Sequence, residues 1–592
     1  MKTIIRLLFV AFLFLNVTEA RAEKVKMADK KSRTLRGTTA GCTPSSTFAW
    51  LNINNARVRV NAGGDMWWDL PGGTGSKYYI PANGSATSLY AGSLWIAGLD
   101  INQQLKCAAV RFRQGPDLNG GNDFWTGPLS IDGTAAIQPE TCMQYDKMYT
   151  ITRAEVDEFL SHCDENGFPD LTGDYQIPSS ISEWPAISTV EGTSKYLAPF
   201  YDNNKDGDYD PAQGDYPYYD IDNELCHTKI PTMDEELEGS VKGSILADQV
   251  IKGDQTIWWV FNDKGNAHTE TGGSAIGMEI RAQAFAFATN DEINNMTFYS
   301  YEIINRSTYT LTNTYFSPWT DVDLGYAYDD FVGCDVSRGL GYGYNGVNTD
   351  GTGQPEAYGA NPPAVGVDFF QGPYLDPDGI DNPKFNPATG ENCDESINGV
   401  NFGNGIIDDE RFGMRRFVYH DNASGVNGDP KKASEYYLLL RGIWKNGEKM
   451  HFGGNAVPGS TGVTDVACDF MFPFDSDPCF WGTGGINPGF EGYWSEETGD
   501  NGKPNNPNDR RFMQSAGPFT LKPGAVNYIT FGVPWARSNS GKAWSSVELL
   551  RTVDDKCQSM FDNCFDVLDG PDAPDLTFRE LDRQLIVYLT NS

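Results

Sequence analysis

The chain has 592 residues, with 80 Asp and Glu against 45 Lys and Arg and a net charge of −35. So large an anionic excess repels nucleic acid and anionic lipid and argues against both as partners. Beyond the first 22 residues, no stretch approaches the ~18 apolar residues that span a bilayer.

Residues 1–22 read as a secretory signal peptide. Lys2 and Arg6 precede the apolar run Leu7 to Leu15, and Ala20-Arg21-Ala22 is a small-x-small cleavage site. The expected address is therefore secreted or cell-surface, after cleavage near Ala22. Residues 23–45 are basic, polar and unpatterned, as a disordered leader would be.

From 46 to 540 the grammar is β: short aromatic and β-branched runs punctuated by Gly, Asn, Asp and Pro. The clearest strands are 256–263, 275–289, 296–307 and 527–536. In the second, Ile276, Met278, Ile280, Ala282, Ala284 and Ala286 share one face at period two. The expected fold is mostly β, with packed antiparallel sheets in a β-sandwich-like body, divisible into two subdomains meeting near 190–250. Two Gly/Asn/Asp/Pro-rich stretches, 340–430 and 453–510, read as long loops ordered by metal.

One helix stands out at 541–566. Val547, Leu550, Val553, Cys557, Met560, Phe561 and Cys564 recur at three- and four-residue steps, and Ser545 or Ser546 can cap its start. After a linker, 571–592 reads as the opening strands of a fibronectin III-like or immunoglobulin-like module. So few residues cannot close a sandwich of about seven strands, so the expectation is the front part of a longer protein or a strand added to another sheet.

Eleven cysteines leave at least one thiol free or bonded to another chain. Cys142 with Cys163 and Cys468 with Cys479 are examples of possible disulfides, and the spacing does not give the connectivity. Cys557 and Cys564 are a poor pair, because seven helical residues rise about 10.5 Å against a bridging limit near 7 Å.

The densest chemistry is Tyr201 to Pro217, YDNNKDGDYDPAQGDYP. Asp202, Asn204, Asp206, Asp208 and Asp210 alternate around Gly207, with Asp215 available to complete a shell. Calcium takes about six to eight oxygens, which such a turn supplies. Gln213 at the twelfth position and Pro211 at a would-be helix start exclude an EF-hand, and the pattern resembles the helix-poor loops of thrombospondin type 3 repeats. The plain alternative is an acidic turn, since Asp and Asn favour turns unaided. Two further clusters are candidate calcium sites: Asp321, Asp323 and Asp330, with Asp329 and Asp335 nearby, and Asp376, Asp378 and Asp381, with Asn404, Asp408, Asp409 and Glu410.

Catalytic motifs are missing. There is no H-E-x-x-H, no G-x-S-x-G and no phosphate loop, and the G-x-G-x-x-G match at 341–346 does not open a helix. Catalytic residues and organic cofactors are therefore expected to be none. Trp67, Trp68, Trp95, Trp125, Trp258 and Trp259 are expected mainly in the core rather than on a glycan platform.

Several long blocks carry a resemblance: GGDMWWDLPGG, AGSLWIAGLDINQQLKCAAVRFRQGPDLNGGNDFWTGPL, FYSYEIINRSTYTLTNTYFSPWTDVDLGYAYDDFVGCD, GNGIIDDERFGMRRFVY and VDDKCQSMFDNCFD. Together they resemble the N-terminal region of large secreted surface proteins of Bacteroidota, cargo of the type IX secretion system. The resemblance implies an extracellular protein followed by fibronectin-like or immunoglobulin-like modules and a sorting domain, and it transfers no catalytic residue. The expectation is a calcium-stabilised structural or adhesion protein whose partner is a surface protein, a glycan or a further copy of itself. The alternatives are a polysaccharide-degrading enzyme with a carboxylate pair hidden among the acids, or a glycan-binding module.

Overall fold

Alternation along the strands builds the molecule. In Met278–Ala286 the even-numbered residues, preceded by Ile276, enter the main core, while Phe285 turns to the opposite face. Gln255–Asn262 does the same, sending Ile257, Trp259 and Phe261 inward and Trp258 and Val260 outward. Both faces are covered, so strands that alternate in packing partner are buried at every position.

The computed structural model describes residues 41–69, 75–115, 120–218, 252–422, 425–489, 492–499, 504–563 and 565, and the backbone of 575–581 and 584–590. The expected signal peptide, most of the expected leader and 219–251 of the expected junction lie outside them. The fold is mostly β, with two ten-stranded antiparallel sheets packed together.

The first sheet runs Arg416–His420, Arg510–Leu521, Leu311–Val322, Ala91–Leu99, Asp65–Met66, Arg57–Asn61, Tyr78–Tyr79 and Thr87–Leu89. Phe48–Leu51 and Leu105–Ala109 pair onto Arg57–Asn61 and Ala91–Leu99. The second runs Asp330–Asp335, Leu340–Asn345, Ala364–Gln371, Val526–Val533, Thr297–Asn305, Met278–Ala286, Gln255–Asn262 and Trp125–Thr126. Trp535–Ala536 and Tyr149–Thr152 extend it. One apolar cluster fills the space between the sheets. Polar bonds cross it where a ring carries a donor, as from Trp67 Nε1 to the Tyr299 hydroxyl at 2.8 Å.

The helix Trp544–Asp562 covers the outer face of the second sheet through Val547, Leu550, Val553, Cys557 and Phe561. Its start differs from expectation. Ala543 occupies the cap position without a side-chain bond, and Ser546 instead donates to Pro362 O at 2.7 Å and accepts from Ser538 N. Among the described residues no helix is long and apolar enough to cross a membrane.

Two expectations are corrected. The stretch 340–430 is not loop throughout, because Leu340–Asn345 and Ala364–Gln371 are buried strands of the second sheet. Gly341 and Gly343 are glycines because the opposing layer leaves no room. A Cβ at 341 would lie 2.3 Å from Gln514 Oε1, and one at 343 would lie 2.6 Å from Val322 Cγ1. Among the described residues the disulfides are Cys42–Cys142 and Cys393–Cys479, so Cys142 does not pair with Cys163 nor Cys468 with Cys479. Each bridge spans a long separation, 100 and 86 residues, which removes roughly 4–5 kcal/mol of unfolded-chain entropy. Beyond the helix, Asp575–Leu581 and Gln584–Thr590 form an antiparallel hairpin.

Candidate metal centres

The loop that drew attention first springs from a two-residue ladder, Phe200–Tyr201 against Tyr216–Pro217. Gly207 and Gly214 take positive φ (78° and 97°), and Pro211–Gln213 is a single 3₁₀ turn. Most of its carboxylates are answered by backbone. Asp202 Oδ2 accepts from Gly207 N at 2.8 Å, Asp206 Oδ1 from Asp208 N at 2.8 Å, and Asp210 Oδ1 from Ala212 N at 3.0 Å. Asn204 Oδ1 accepts from Asp206 N. Asp208 pairs with Lys195 Nζ at 2.9 Å. Asp215, buried beneath, accepts from Asn203 N and Asp210 N. Burial pushes its carboxyl up to about 6 against the pull of those two amides. Asp202 Oδ1 alone is buried without a partner, and Asn204, Asp206, Asp208 and Asp210 are exposed.

The second cluster is of another kind. The antiparallel register of Leu311–Val322 with Arg510–Leu521 sets Asp321 opposite Arg511 and Val322 opposite Arg510. Asp323 and Asp509, each one residue beyond its strand, then converge. One carboxylate oxygen from each of Asp321, Asp323 and Asp509 lies within 4.8 Å of the other two. Arg511 answers part of the charge, with Nε 3.1 Å from Asp321 Oδ1 and its second amino group 3.4 Å from Asp509 Oδ2. Asn422 Nδ2 donates to Asp509 Oδ2 at 2.9 Å, and Asp509 Oδ1 is buried without a bond. Burial, reinforced by Asp509, pushes Asp323 up to about 8. Asp321 is also raised well above the carboxylate range by burial, with Arg511 opposing. Three clustered carboxylates with one guanidinium leave two negative charges in a site of oxygen donors, the donor set of a hard divalent cation.

Asp330 does not join that triad. It is fully buried, and its Oδ2 accepts from Leu324 N at 3.0 Å while Oδ1 has no partner. Its neighbours are Asp329, which accepts from Gly351 N, and Asp350, which accepts from Tyr326 N and Tyr358 N. Asp350 explains Gly325, where a Cβ would lie 1.9 Å from the Asp350 carboxylate. The buried amide of Asn345 faces Asp329 and Asp350 without a well-formed bond of its own.

In the third cluster two loops are lashed crosswise. Asp408 Oδ1 accepts from Asp378 N and Gly379 N, both at 2.8 Å, while Asp381 accepts from Gly403 N at 2.8 Å and Gly405 N at 2.7 Å. Asp376 stands apart, accepting both the amide and the hydroxyl of Thr520 at 2.6 Å.

Asp509 and Asp350 are the acids that sequence reading passed over. Strand register brings the distant Asp509 to Asp321, whereas Asp350 comes from the short ladder Thr349–Asp350 with Gly359–Ala360. The G-x-G-x-x-G match falls on the buried strand Leu340–Asn345 and its exit, with no helix N-terminus to hold a phosphate. Trp67, Trp68, Trp95, Trp125, Trp258 and Trp259 are all core residues, at most 2% exposed. No family model matches the sequence, and no curated protein is similar to it.

Proposed function

We propose that this chain is an exported structural or adhesion protein, held in shape by calcium and working at the outer cell surface without catalysis of its own. The observation that carries the reading is the Asp321–Asp323–Asp509 triad, in which three carboxylate oxygens lie within 4.8 Å of one another, with Asp321 and Asp509 buried and Asp323 half-buried. Desolvated like charges at that spacing are costly unless protons or a cation neutralise them. Calcium at the roughly millimolar levels met by extracellular modules supplies the cation.

Two disulfides across long separations fit an oxidising compartment. The signal peptide read at 1–22 and the likeness to Bacteroidota type IX cargo supply the address. The acidic surface loops at 202–215 and 378–410 are further places for calcium to settle. The partner is a surface protein, a glycan or another copy of the chain.

Scanning calorimetry in calcium and in EDTA, with metal analysis of the purified protein, tests the reading. The expected result is stoichiometric bound calcium and a gain of about 2.7 kcal/mol when free calcium is a hundred times its dissociation constant. Protein free of metal, with one melting temperature in both buffers, overturns it.

A further inference from the structure

The helix Trp544–Asp562 does more than cover the second sheet. Beneath it is a cavity of about 440 Å³, whose lining includes Asp368, Asp554, Asp555, Asn398 and Gln558. Asp368 comes from the strand Ala364–Gln371 and Asp554 from the helix, each 1% exposed. Neither oxygen of Asp368 receives a hydrogen bond, nor does Asp554 Oδ1. The side chain that Asp368 faces, within hydrogen-bonding reach, is the Asp554 carboxyl.

Of the cations nearby, Lys384 on the lining acts on Asp562, and the two arginines are committed to other acids. Arg338 bonds Asp335 at 2.9 Å and grips Asp555 at 2.8 and 3.0 Å. Arg551 bonds Asp335 and Asp475, each at 2.9 Å. Asn398 adds an acceptor. Its Nδ2 donates to Val336 O at 2.8 Å and Met414 O at 3.0 Å, which fixes an Oδ1 that is buried and unbonded. The buried pair therefore has unfilled acceptors beside it and is charged if its acids ionise. Burial raises both acids well above the usual carboxylate range, each reinforced by the like charge of Asp335.

We propose that Asp368 and Asp554 bind a divalent metal cation in this cavity, a hard ion of the calcium class that ties the helix to the sheet. Two carboxylates balance a doubly charged ion. The donors are oxygens throughout, and the cavity has room for the waters that complete the shell. The site shares no residue with the triad and stands independently of it.

The test uses the full chain stripped with EDTA and titrated with calcium, comparing the parent with D368N/D554N and D323N. The expected result is one calcium fewer in D368N/D554N than in the parent, a smaller calcium-induced rise in Tm, and a Tm in EDTA no lower than the parent's. D323N keeps the cavity ion and loses the other. D554N alone, which disturbs packing least, weakens the cavity ion at least tenfold. An unchanged calcium count and an unchanged rise in both cavity variants overturn the proposal and make the pair a proton-sharing structural contact. Loss of calcium in the cavity variants with none lost in D323N sinks the triad instead.

Discussion

The loop at 202–215 and the triad at 321, 323 and 509 are made of the same residue type and solve opposite problems. In the loop, backbone amides turn inward and most carboxylates find an N–H within a few residues, with Lys195 answering Asp208. Solvent screens what is left. In the triad the strands have spent their amides on the ladder, and one arginine and one asparagine face three acids under cover. Aspartates dense along the chain are thus met by the amides of their own turn, whereas aspartates converging from different strands are left with fewer donors.

Glu279 gives the comparison a third member, a buried acid that is fully answered. It accepts from Arg281 Nε at 3.0 Å, from Arg306 Nε and its second amino group at 3.2 Å, and from Leu129 N at 2.9 Å. Its carboxyl is lowered although burial alone would raise it, because Arg306 and Arg281 outweigh desolvation. Glu279→Gln therefore has the largest expected effect, a loss of about 3–5 kcal/mol in denaturant unfolding that is the same in calcium and in EDTA. The sign with pH follows. A folded value below the unfolded one gives stability that is present above the unfolded value near 4.5 and lost as pH falls through the folded value. The variant's acid-unfolding curve should be correspondingly flatter below pH 4.5.

Asp323→Asn comes next. It removes a charge from the triad without touching the Arg511 contacts, so the melting temperature in EDTA holds or rises. The triad's share of the calcium-dependent gain, about 2.7 kcal/mol at a hundredfold excess over its dissociation constant, disappears. If the gain survives undiminished, the triad is not where calcium binds. The smallest effect belongs to the loop. Asp206→Asn keeps its acceptor for Asp208 N, so calorimetry in EDTA should not distinguish it from the parent. A change in protease sensitivity confined to calcium buffer would assign an ion to the loop and narrow the contrast with the triad.

Much of the fold was legible because its strands obey period two and its last helix a three-four step. Ile276 to Ala286 and Val547 to Phe561 pack as their spacing predicts. Leu340–Asn345 was not, since its alternating Gly and Tyr look like loop until the neighbouring layer explains why a side chain cannot fit. The disulfides escaped for a related reason, because nearness in sequence says nothing of which loops fold back on each other. At the sites, Asp321 and Asp323 were visible as a local cluster. Asp509, Asp350 and the Asp368–Asp554 pair are products of register and of helix placement, which no local window contains.

Register also governs how this molecule can be made. Ser93, Trp319 and Met513 lie side by side on adjacent strands of the first sheet. Leu311–Val322, the neighbour of Ala91–Leu99, therefore lacks its other partner until Arg510–Leu521 has been synthesised, and pairing between such distant segments is slow. For that interval the polypeptide is a long, open, strongly anionic coil whose self-repulsion holds it apart. The same strand order that makes the finished body rigid thus delays the closing of the nascent one.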